Sequence, residues 1–469
     1  MKYFYPNAVA RLRIIWETFG DELNPVLMRP YEVLTIPKST RVEVNSYTEA
    51  DTFDIELDYK TFPFDPRSIK SCQVTIFMDN LKQGGFANPN DILEPSEDNA
   101  VFEGFADEDS MTLDDTSRTV KLKGRDFTAI LIDAKWNGKL LPMTAPVDVV
   151  IAGVLAQLPA MGNITVTNKT DSFVLPTLAQ FYPDFGALAG QRNAKKNEKY
   201  WDVIQDICTR AGIIAYMNIG ELVLTKPRTL YDRNKAVQLV YGKSIKSLEM
   251  TRKFGRQKGF NLVVRSINGK EVVKAEIPKD STNLPEGGDY VYIPVQTPQG
   301  VMINKADPSS RAPLMSFVVA NVNDKDHLIE VGEKIYEEIG RQQIEGKIKT
   351  FDMDAPAPSV DPSDAVDGEP NCFNLLKLRN ATPIEIIIGS DDLDAITKEA
   401  NVGRRIKYLV DRGYGNDVAT VFAQTLGKFS TPFYTKSVTF TLDQQGFNIE
   451  IDFINFIETA GKGLGIING

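Results

Sequence analysis

The chain has 469 residues, 42% of them apolar and 25% charged, and a formal net charge of −10. At ~150 residues per domain it holds material for about three domains with real cores. The acidic balance excludes a protein that grips phosphates with clustered Lys and Arg, but not one that nucleic acid passes without sticking.

The first predicted element is a strand at Ala10–Trp16. Tyr31–Ile36 and Thr40–Asn45 follow, broken by Pro37, with Val42 and Val44 on one side and Arg41 and Glu43 on the other. Thr52–Tyr59 alternates without a slip: Phe53, Ile55, Leu57 and Tyr59 on one face, Asp54, Glu56 and Asp58 on the other. That period of two is the signature of a strand with one face buried and one face wet. Pro63 and Asp65-Pro66 close it. Ser71–Phe77, Val101–Leu113 and Arg118–Gly124 read as further strands, and Gly84–Glu97 as loop. Many short strands with regular turns predict a small sandwich or barrel.

The texture changes near Pro146. Val147–Leu158 reads as a helix with Pro146 suited to its first turn. Ile164–Thr167 is a short strand, and Ala189–Lys199 a polar, basic loop. Tyr200–Ala211 is a clear amphipathic helix, with Trp201, Ile204, Ile207, Cys208 and Ala211 on one stripe and Gly212 as its stop. Ile213–Asn218 and Glu221–Lys226 form a hairpin that completes a compact α/β unit.

From Ala236 the strands resume: Ala236–Val240, Ile245–Phe254, Asn261–Ser266 and, across an Asn268-Gly269 turn, Glu271–Ile277. Ser281–Pro313 reads as loop, Asp324–Gln343 as the longest helix and Lys347–Met353 as a strand. Ala355–Pro370 is Pro- and Asp-rich with little to bury, a mobile surface loop. Phe373–Leu378 and Ile384–Gly389 read as strands, Thr397–Arg412 and Asn416–Leu426 as helices. Ser437–Leu442 and Phe447–Phe453 close the series, and the Gly-rich end from Gly461 reads as loose.

One stretch occurs twice. Gly446–Phe453, G-F-N-I-E-I-D-F, repeats the text of Thr52–Tyr59: Phe53, Ile55, Glu56 and Asp58 return as Phe447, Ile449, Glu450 and Asp452. This marks equivalent strands in two similar β domains.

Signs of chemistry are sparse. His327 is the only histidine and falls in the first turns of the long helix, a surface position. Cys72, Cys208 and Cys372 are odd in number and far apart, which suggests buried thiols rather than disulfides or a zinc site. Gly461-x-Gly463-x-Gly465 lacks the strand and helix that frame a phosphate loop. No isolated acid pair is available to hydrolyse a sugar. Met1-Lys2 leads into Tyr-Phe-Tyr-Pro rather than a secretory apolar run, and Val147–Leu155 is far short of a bilayer span. The residues therefore nominate no catalytic, cofactor or metal site and predict a non-enzyme folded in a cytoplasm.

Three stretches taken together resemble one family. They are Ala50–Asp58, Lys123-Gly-Arg-Asp126 leading into Ile130-Leu-Ile-Asp133, and Tyr200–Gly212 followed by Glu221–Pro227. In this order they look like the baseplate hub proteins of contractile phage tails, of the late control protein D type. The hub half of the type VI secretion spike protein belongs to the same group. The resemblance covers most of Val42–Ile457. It implies a homotrimer in which each chain gives two barrel-like domains. Three chains then present six similar units around a channel, to a six-fold tail tube or distal tail protein on one side and a three-fold spike on the other.

The implied fold is α+β, mostly β. It has an N-terminal arm (1–35), a first barrel (36–145), an α/β domain (146–235) and a second barrel (236–280 and 371–460). An insertion (281–370) and a flexible tail (461–469) complete it. No oligosaccharide-binding-like domain or needle follows the last strand, so a separate spike protein is implied. Baseplate wedge and tape measure proteins are the other implied partners, with no membrane, no cofactor and no specific DNA binding. The implied place is the virion tail baseplate, assembled in a bacterial host cytoplasm. Asp54, Glu56, Asp58, Glu450 and Asp452 are expected to face the channel and repel DNA, which carries about one charge per 1.7 Å. The rival reading is a tail-borne cell-wall hydrolase. The hub of a non-contractile tail or of an extracellular injection particle differs only in context.

Overall fold

The computed structural model describes residues 8–18, 31–61, 69–80, 95–97, 99–107, 111–114, 116–136, 141–170, 175, 177–181, 198–226, 228–230, 236–241, 245–252, 261–268, 271–277, 292–297, 300–305, 314–320, 322, 324–340, 344–351, 353–356, 372–388, 432–455 and 465–468. The predicted helices at Thr397–Arg412 and Asn416–Leu426 and most of the loops at 84–97, 189–199 and 355–370 lie outside them.

The first part of the chain is almost all strand: β1 Ala8–Thr18, β2 Tyr31–Thr35, β3 Ser39–Val44, β4 Thr52–Asp58, β5 Ile69–Asn80, β6 Ala100–Ala106, β7 Thr112–Asp114 and β8 Thr119–Asp126. The single strand expected over Val101–Leu113 is thus two, β6 and β7. In β4 the expected alternation is realised at Phe53, Ile55 and Leu57, which are buried between half-buried neighbours, but Tyr59, expected on the same face, starts a 3-10 turn beyond the strand and is exposed. Each such side chain taken out of water contributes roughly 1.5–3 kcal/mol before the entropy of ordering it is counted.

The α/β unit follows: α1 Thr128–Asp133, α2 Val147–Leu155, β9 Thr165–Asn168, α3 Leu178–Phe181, α4 Tyr200–Arg210, β10 Ile214–Asn218 and β11 Glu221–Thr225. Pro146 stands at the N-cap of α2 rather than in its first turn. Gly212 stops α4 at φ 67°, as its position after the apolar stripe predicts. The apolar stripes of α2 and α4 share a core with Ala215, Met217, Leu222 and Leu224.

The remainder holds β12 Arg228–Thr229, β13 Val237–Tyr241, β14 Ser247–Arg252, β15 Asn261–Asn268, β16 Glu271–Ile277, β17 Tyr292–Thr297, β18 Gly300–Lys305, β19 Leu314–Ala320 and α5 Lys325–Gly340. Then come β20 Ile344–Thr350, β21 Asp354–Pro356, β22 Cys372–Asn374, β23 Pro383–Ile388, β24 Pro432–Asp443, β25 Gly446–Ile454 and β26 Gly465–Asn468. Two expectations of irregular chain are overturned. The stretch Ser281–Pro313 carries the β17–β18 hairpin, and the Gly-rich end contains β26, which pairs with β12 and β19. The strand expected over Phe373–Leu378 becomes a 3-10 turn at Leu375–Lys377, where the Asn374 side chain accepts from the Leu376 N–H. β15 and β16, expected in the second barrel, lie in the five-stranded sheet β12-β26-β19-β15-β16. There Val264, Phe317 and Val319 pack with Leu328, Val331 and Ile335 of α5.

The dominant feature is one 14-stranded sheet whose main path runs β14-β20-β25-β24-β3-β4-β8-β6-β5-β1-β2. The fold is α+β and mostly β, but neither expected barrel closes among the described residues. The edge of β3 that could have closed the first barrel is taken by β24 instead. The sheet still curls. β2 stands at the far end of the path from β3, yet only Ile36, Pro37 and Lys38 separate them in the chain. At no more than ~3.6 Å per residue those residues cannot bridge a flat sheet of that width. Side chains from both ends of the chain, among them Val42, Ile55, Phe440 and Ile451, fill a single core.

The repeated text sits symmetrically in this sheet. β3 and β24 are antiparallel, with Arg41 opposite Thr441, Val42 opposite Phe440 and Thr40 opposite Leu442. A two-fold axis normal to the sheet through the Arg41–Thr441 pair exchanges the two hairpins. It carries Phe53, which faces Val42, onto Phe447, which faces Leu442. It likewise carries Ile55, opposite Thr40, onto Ile449, opposite Phe440. These are the positions that match in the sequence. The third strands obey the same axis: Glu56 faces Lys121 of β8, and Glu450 faces Lys349 of β20. Only chain order differs, since β8 follows β4 whereas β20 precedes β25.

Candidate functional site

Residues directly opposite in a sheet share a face, so the wet face can be read across the register. Asp54, Glu56 and Asp58 on β4 and Glu450 and Asp452 on β25 all lie on it, because their strand neighbours are buried in the common core. The sequence places these five acids correctly on the outer side. It does not anticipate what meets them. Lys123 Nζ lies 2.8 Å from Asp54, Lys121 Nζ 4.0 Å from Glu56 and Lys38 Nζ 3.7 Å from Asp58. On the other hairpin Lys349 Nζ lies 2.6 Å from Glu450, and Lys347 Nζ lies 3.5 Å from both Glu450 and Asp452.

The face is therefore a mosaic of paired charges rather than an acidic wall. Two strands of acids run beside two strands of lysines, with Ser437, Thr439 and Thr441 of β24 and Arg41 and Glu43 of β3 between the two acid strands. The hydrogen bond from Lys349 holds the Glu450 carboxyl below its ordinary range, with Lys347 adding to it. Asp452, with help from Glu450, raises the Lys347 ammonium. The lysines had a sequence signal. Lys121-Leu-Lys123 and Lys347-Ile-Lys349 carry the same alternation as the acids, in strands next to them.

A second constellation lies where the sheet meets the α/β unit. The loop between β3 and β4, the β8–α1 junction, β10 and the turn at Arg379-Asn380 surround a small cleft. Tyr47 crosses it: its hydroxyl donates to the Asn380 carbonyl at 2.7 Å, and its ring lies 5.4 Å from that of Tyr216. Asp51 accepts from the Asn45 N–H at 2.8 Å, and its carbonyl accepts from the Asp126 N–H at 3.0 Å. Asp126 stands just before α1, accepting from the Thr128 N–H at 3.1 Å and hydroxyl at 2.8 Å. Loss of water raises Asp51 to about 6 and Asp126 well above the carboxylate range, and the two charges oppose each other. Sequence reading passes over this group because its members are spread from residue 45 to residue 380.

The remaining candidates are plain. His327 is exposed on α5, its N–H donating to Asp324 Oδ1 at 2.8 Å. Cys72 and Cys208 are buried, and burial raises both thiols. Among the described residues no group of three or more His, Cys, Asp or Glu is placed to hold a metal, and no helix is long and apolar enough to cross a membrane.

No protein-family model matches the chain, and no curated protein matches it. Solved structures that it resembles include a tail protein from Neisseria meningitidis (12% identity, 96% of each chain covered, TM-score 0.45). Another is the 43 kDa tail protein of prophage MuSo2 from Shewanella oneidensis (13% identity, 94% of this chain and 98% of that one, TM-score 0.45). The E. coli c3393 protein, a component of the type VI secretion system, is similar over 90% of this chain and 74% of its own, at 7% identity and TM-score 0.38.

Proposed function

We propose that this chain is a structural, non-catalytic baseplate hub of a phage tail. It forms a homotrimer that joins a six-fold tail tube to a separate three-fold spike and lines the channel through which DNA passes. The observation that carries the reading is the symmetric register of the β3–β4 and β24–β25 hairpins. One chain presents the same acidic strand twice on one sheet face, so three chains present it six times. The equivalent strands run antiparallel. The match to a six-fold partner is therefore one of spacing and side-chain pattern, not of common strand direction. Wedge, tape measure and distal tail proteins are the further partners of such a hub, and the virion baseplate its location.

The paired charges suit a channel wall. With lysines beside the acids the surface neither holds a polyanion nor adds strong repulsion. Light scattering on the purified chain, alone and with its tail tube protein, tests the assembly. A trimer mass supports the hub, and a monomer in both samples rejects it. The channel assignment has its own test. Changing Asp54, Glu56, Asp58, Glu450 and Asp452 to their amides leaves Lys121, Lys123, Lys347 and Lys349 unpaired. A basic wall would then grip DNA and slow genome release, less so at high salt. Release at the normal rate removes these residues from the channel.

A further inference from the structure

Four segments far apart in the sequence meet at the cleft under Tyr47, and their meeting point is charged. From the β3–β4 loop come Asp51 and Glu49, with Glu43 near by on β3. Asp126 comes from the end of β8. The α/β unit contributes Tyr216 from β10, with Glu221 of β11 behind it. The turn before β23 contributes Arg379, the single cation among the cleft-lining residues. Its guanidinium is spread over three acceptors: Nη1 donates to the Leu376 and Leu378 carbonyls at 3.3 and 2.9 Å, and Nη2 to Asn218 Oδ1 at 3.2 Å. Arg379 thus ties the turn to the β10–β11 hairpin while its charge favours the ionised Asp51.

The same point is a mechanical junction. Besides the Tyr47–Asn380 bond, Gln205 of α4 donates to the Tyr47 carbonyl at 3.4 Å. Beside Arg379, Ala381 is held at φ 63° while its N–H donates to the Thr435 carbonyl of β24. A non-glycine residue in that region is strained and persists only where its surroundings hold it.

We propose that Asp51, Asp126 and Arg379 form a proton-operated joint that fastens the α/β unit to the curled sheet, tight when the carboxyl pair carries its protons and looser once Asp51 is charged. This inference does not depend on the hub reading. An ionised Asp51 confined in the cleft lacks water, which Arg379 offsets only in part, and opening the cleft restores that water. The sign follows from linkage. A carboxyl raised in the closed joint contributes fully below its ordinary value near 3.8, and the contribution is lost as pH rises through about 6. A separation of about two pH units corresponds to a change of up to ~100-fold in the opening equilibrium.

Hydrogen exchange of the full chain between pH 5 and 8, corrected for intrinsic rates, tests it. In the wild type, amides of 45–51, 126–128 and 379–382 should exchange progressively faster above about pH 6, while core amides of β4 and β25 do not follow. Asp51→Asn should flatten that profile. Arg379→Gln, which removes the charge favouring ionised Asp51, should move its midpoint upward. Asp126→Asn should leave it in place, because loss of water rather than the Asp126 charge is what lifts Asp51. If Asp51→Asn does not fold, the upward shift of Arg379→Gln beside an unmoved Asp126→Asn still decides. A wild-type profile without a step overturns the joint. So does an Asp51→Asn profile like the wild type's, or a midpoint that Arg379→Gln does not move.

Discussion

Phe53 lies across the sheet from Gly124, and a β-carbon on Gly124 would stand 2.6 Å from the Phe53 ring and 2.0 Å from the Phe105 carbonyl oxygen. The second hairpin has its own version. Phe453 faces Gly346, where a β-carbon would stand 2.6 Å from the ring and 2.1 Å from the Glu249 carbonyl oxygen. In both places a ring covers a bare stretch of backbone that a neighbouring strand also approaches. Such close backbone contact is what allows a large sheet to bend around one core. Because the clashing atoms are backbone, they cannot swing aside. Gly124→Ala and Gly346→Ala are each expected to cost about 1–3 kcal/mol, read as a lowered urea midpoint at unchanged slope. Gly153→Ala is the control: it is in α2, with nothing within 4 Å of the added carbon. It should be neutral or slightly stabilising.

The lysine–acid ladder predicts a modest, conditional contribution. Glu450 is the member with two lysine partners and the less exposed side chain of each pair. Its carboxyl is held below the ordinary value of 4.5 chiefly by the hydrogen bond from Lys349. The sign is that of a depressed acid. The contribution is present above the unfolded value and is lost as pH falls through the lower folded one. Glu450→Gln should cost about 0.5–1 kcal/mol at pH 7, less in molar salt, and nothing once the carboxyl is protonated in both states. Denaturation midpoints at pH 7 and pH 3, each at two salt concentrations, check this. A cost equal under all four conditions would mean that packing, not charge, is lost.

Much of the sheet was legible because its strands are amphipathic. β4 and β25 announce their wet faces through Asp54, Glu56, Glu450 and Asp452, and their repeat anticipates a symmetry that the register then displays. The pairing partners were not legible. Nothing local in Val42 or Phe440 says that β3 will bond to β24, almost four hundred residues away. The same blindness hid the lysine partners and the Asp51–Asp126–Arg379 group, whose meaning lies in who their neighbours are. The helix α1 was missed for another reason. Thr128–Asp133 is only six residues long, too short to establish an apolar period after the strand expected to end at Gly124. β26 was missed because Gly465-Ile-Ile-Asn468 has no alternation, only partners on both sides.

Phe440 tests whether the two halves of the sheet are one cooperative body. It is fully buried on β24, opposite Val42 of β3 on one side and Ile449 of β25 on the other. Truncation there removes a ring from the seam itself. Phe440→Ala should cost about 3–5 kcal/mol. Amides of β3 and β4 should lose exchange protection along with those of β24 and β25. Loss confined to β24 and β25 would make the halves independent bodies that merely share an edge.

The hairpin between β10 and β11 offers a change in the opposite direction. Its two-residue loop is Ile219-Gly220, with φ of 41° and 73°, the left-handed pair of a type I′ turn. Gly220 suits this conformation, and its missing side chain also spares Glu103, whose carboxylate oxygen lies 2.9 Å from where a β-carbon would be. Ile219 does not suit it. A β-branched residue with positive φ brings its Cβ against the carbonyl, at a cost of roughly 1–2 kcal/mol. Asn tolerates that region and is the residue most favoured there before Gly. The flanking pair Asn218–Glu221 keeps the register whatever occupies the loop. Ile219→Asn is therefore expected to stabilise the chain by about 1 kcal/mol, measured as a higher thermal midpoint with unchanged circular dichroism. A lower midpoint would mean that the Ile219 side chain makes contacts worth more than the strain it imposes.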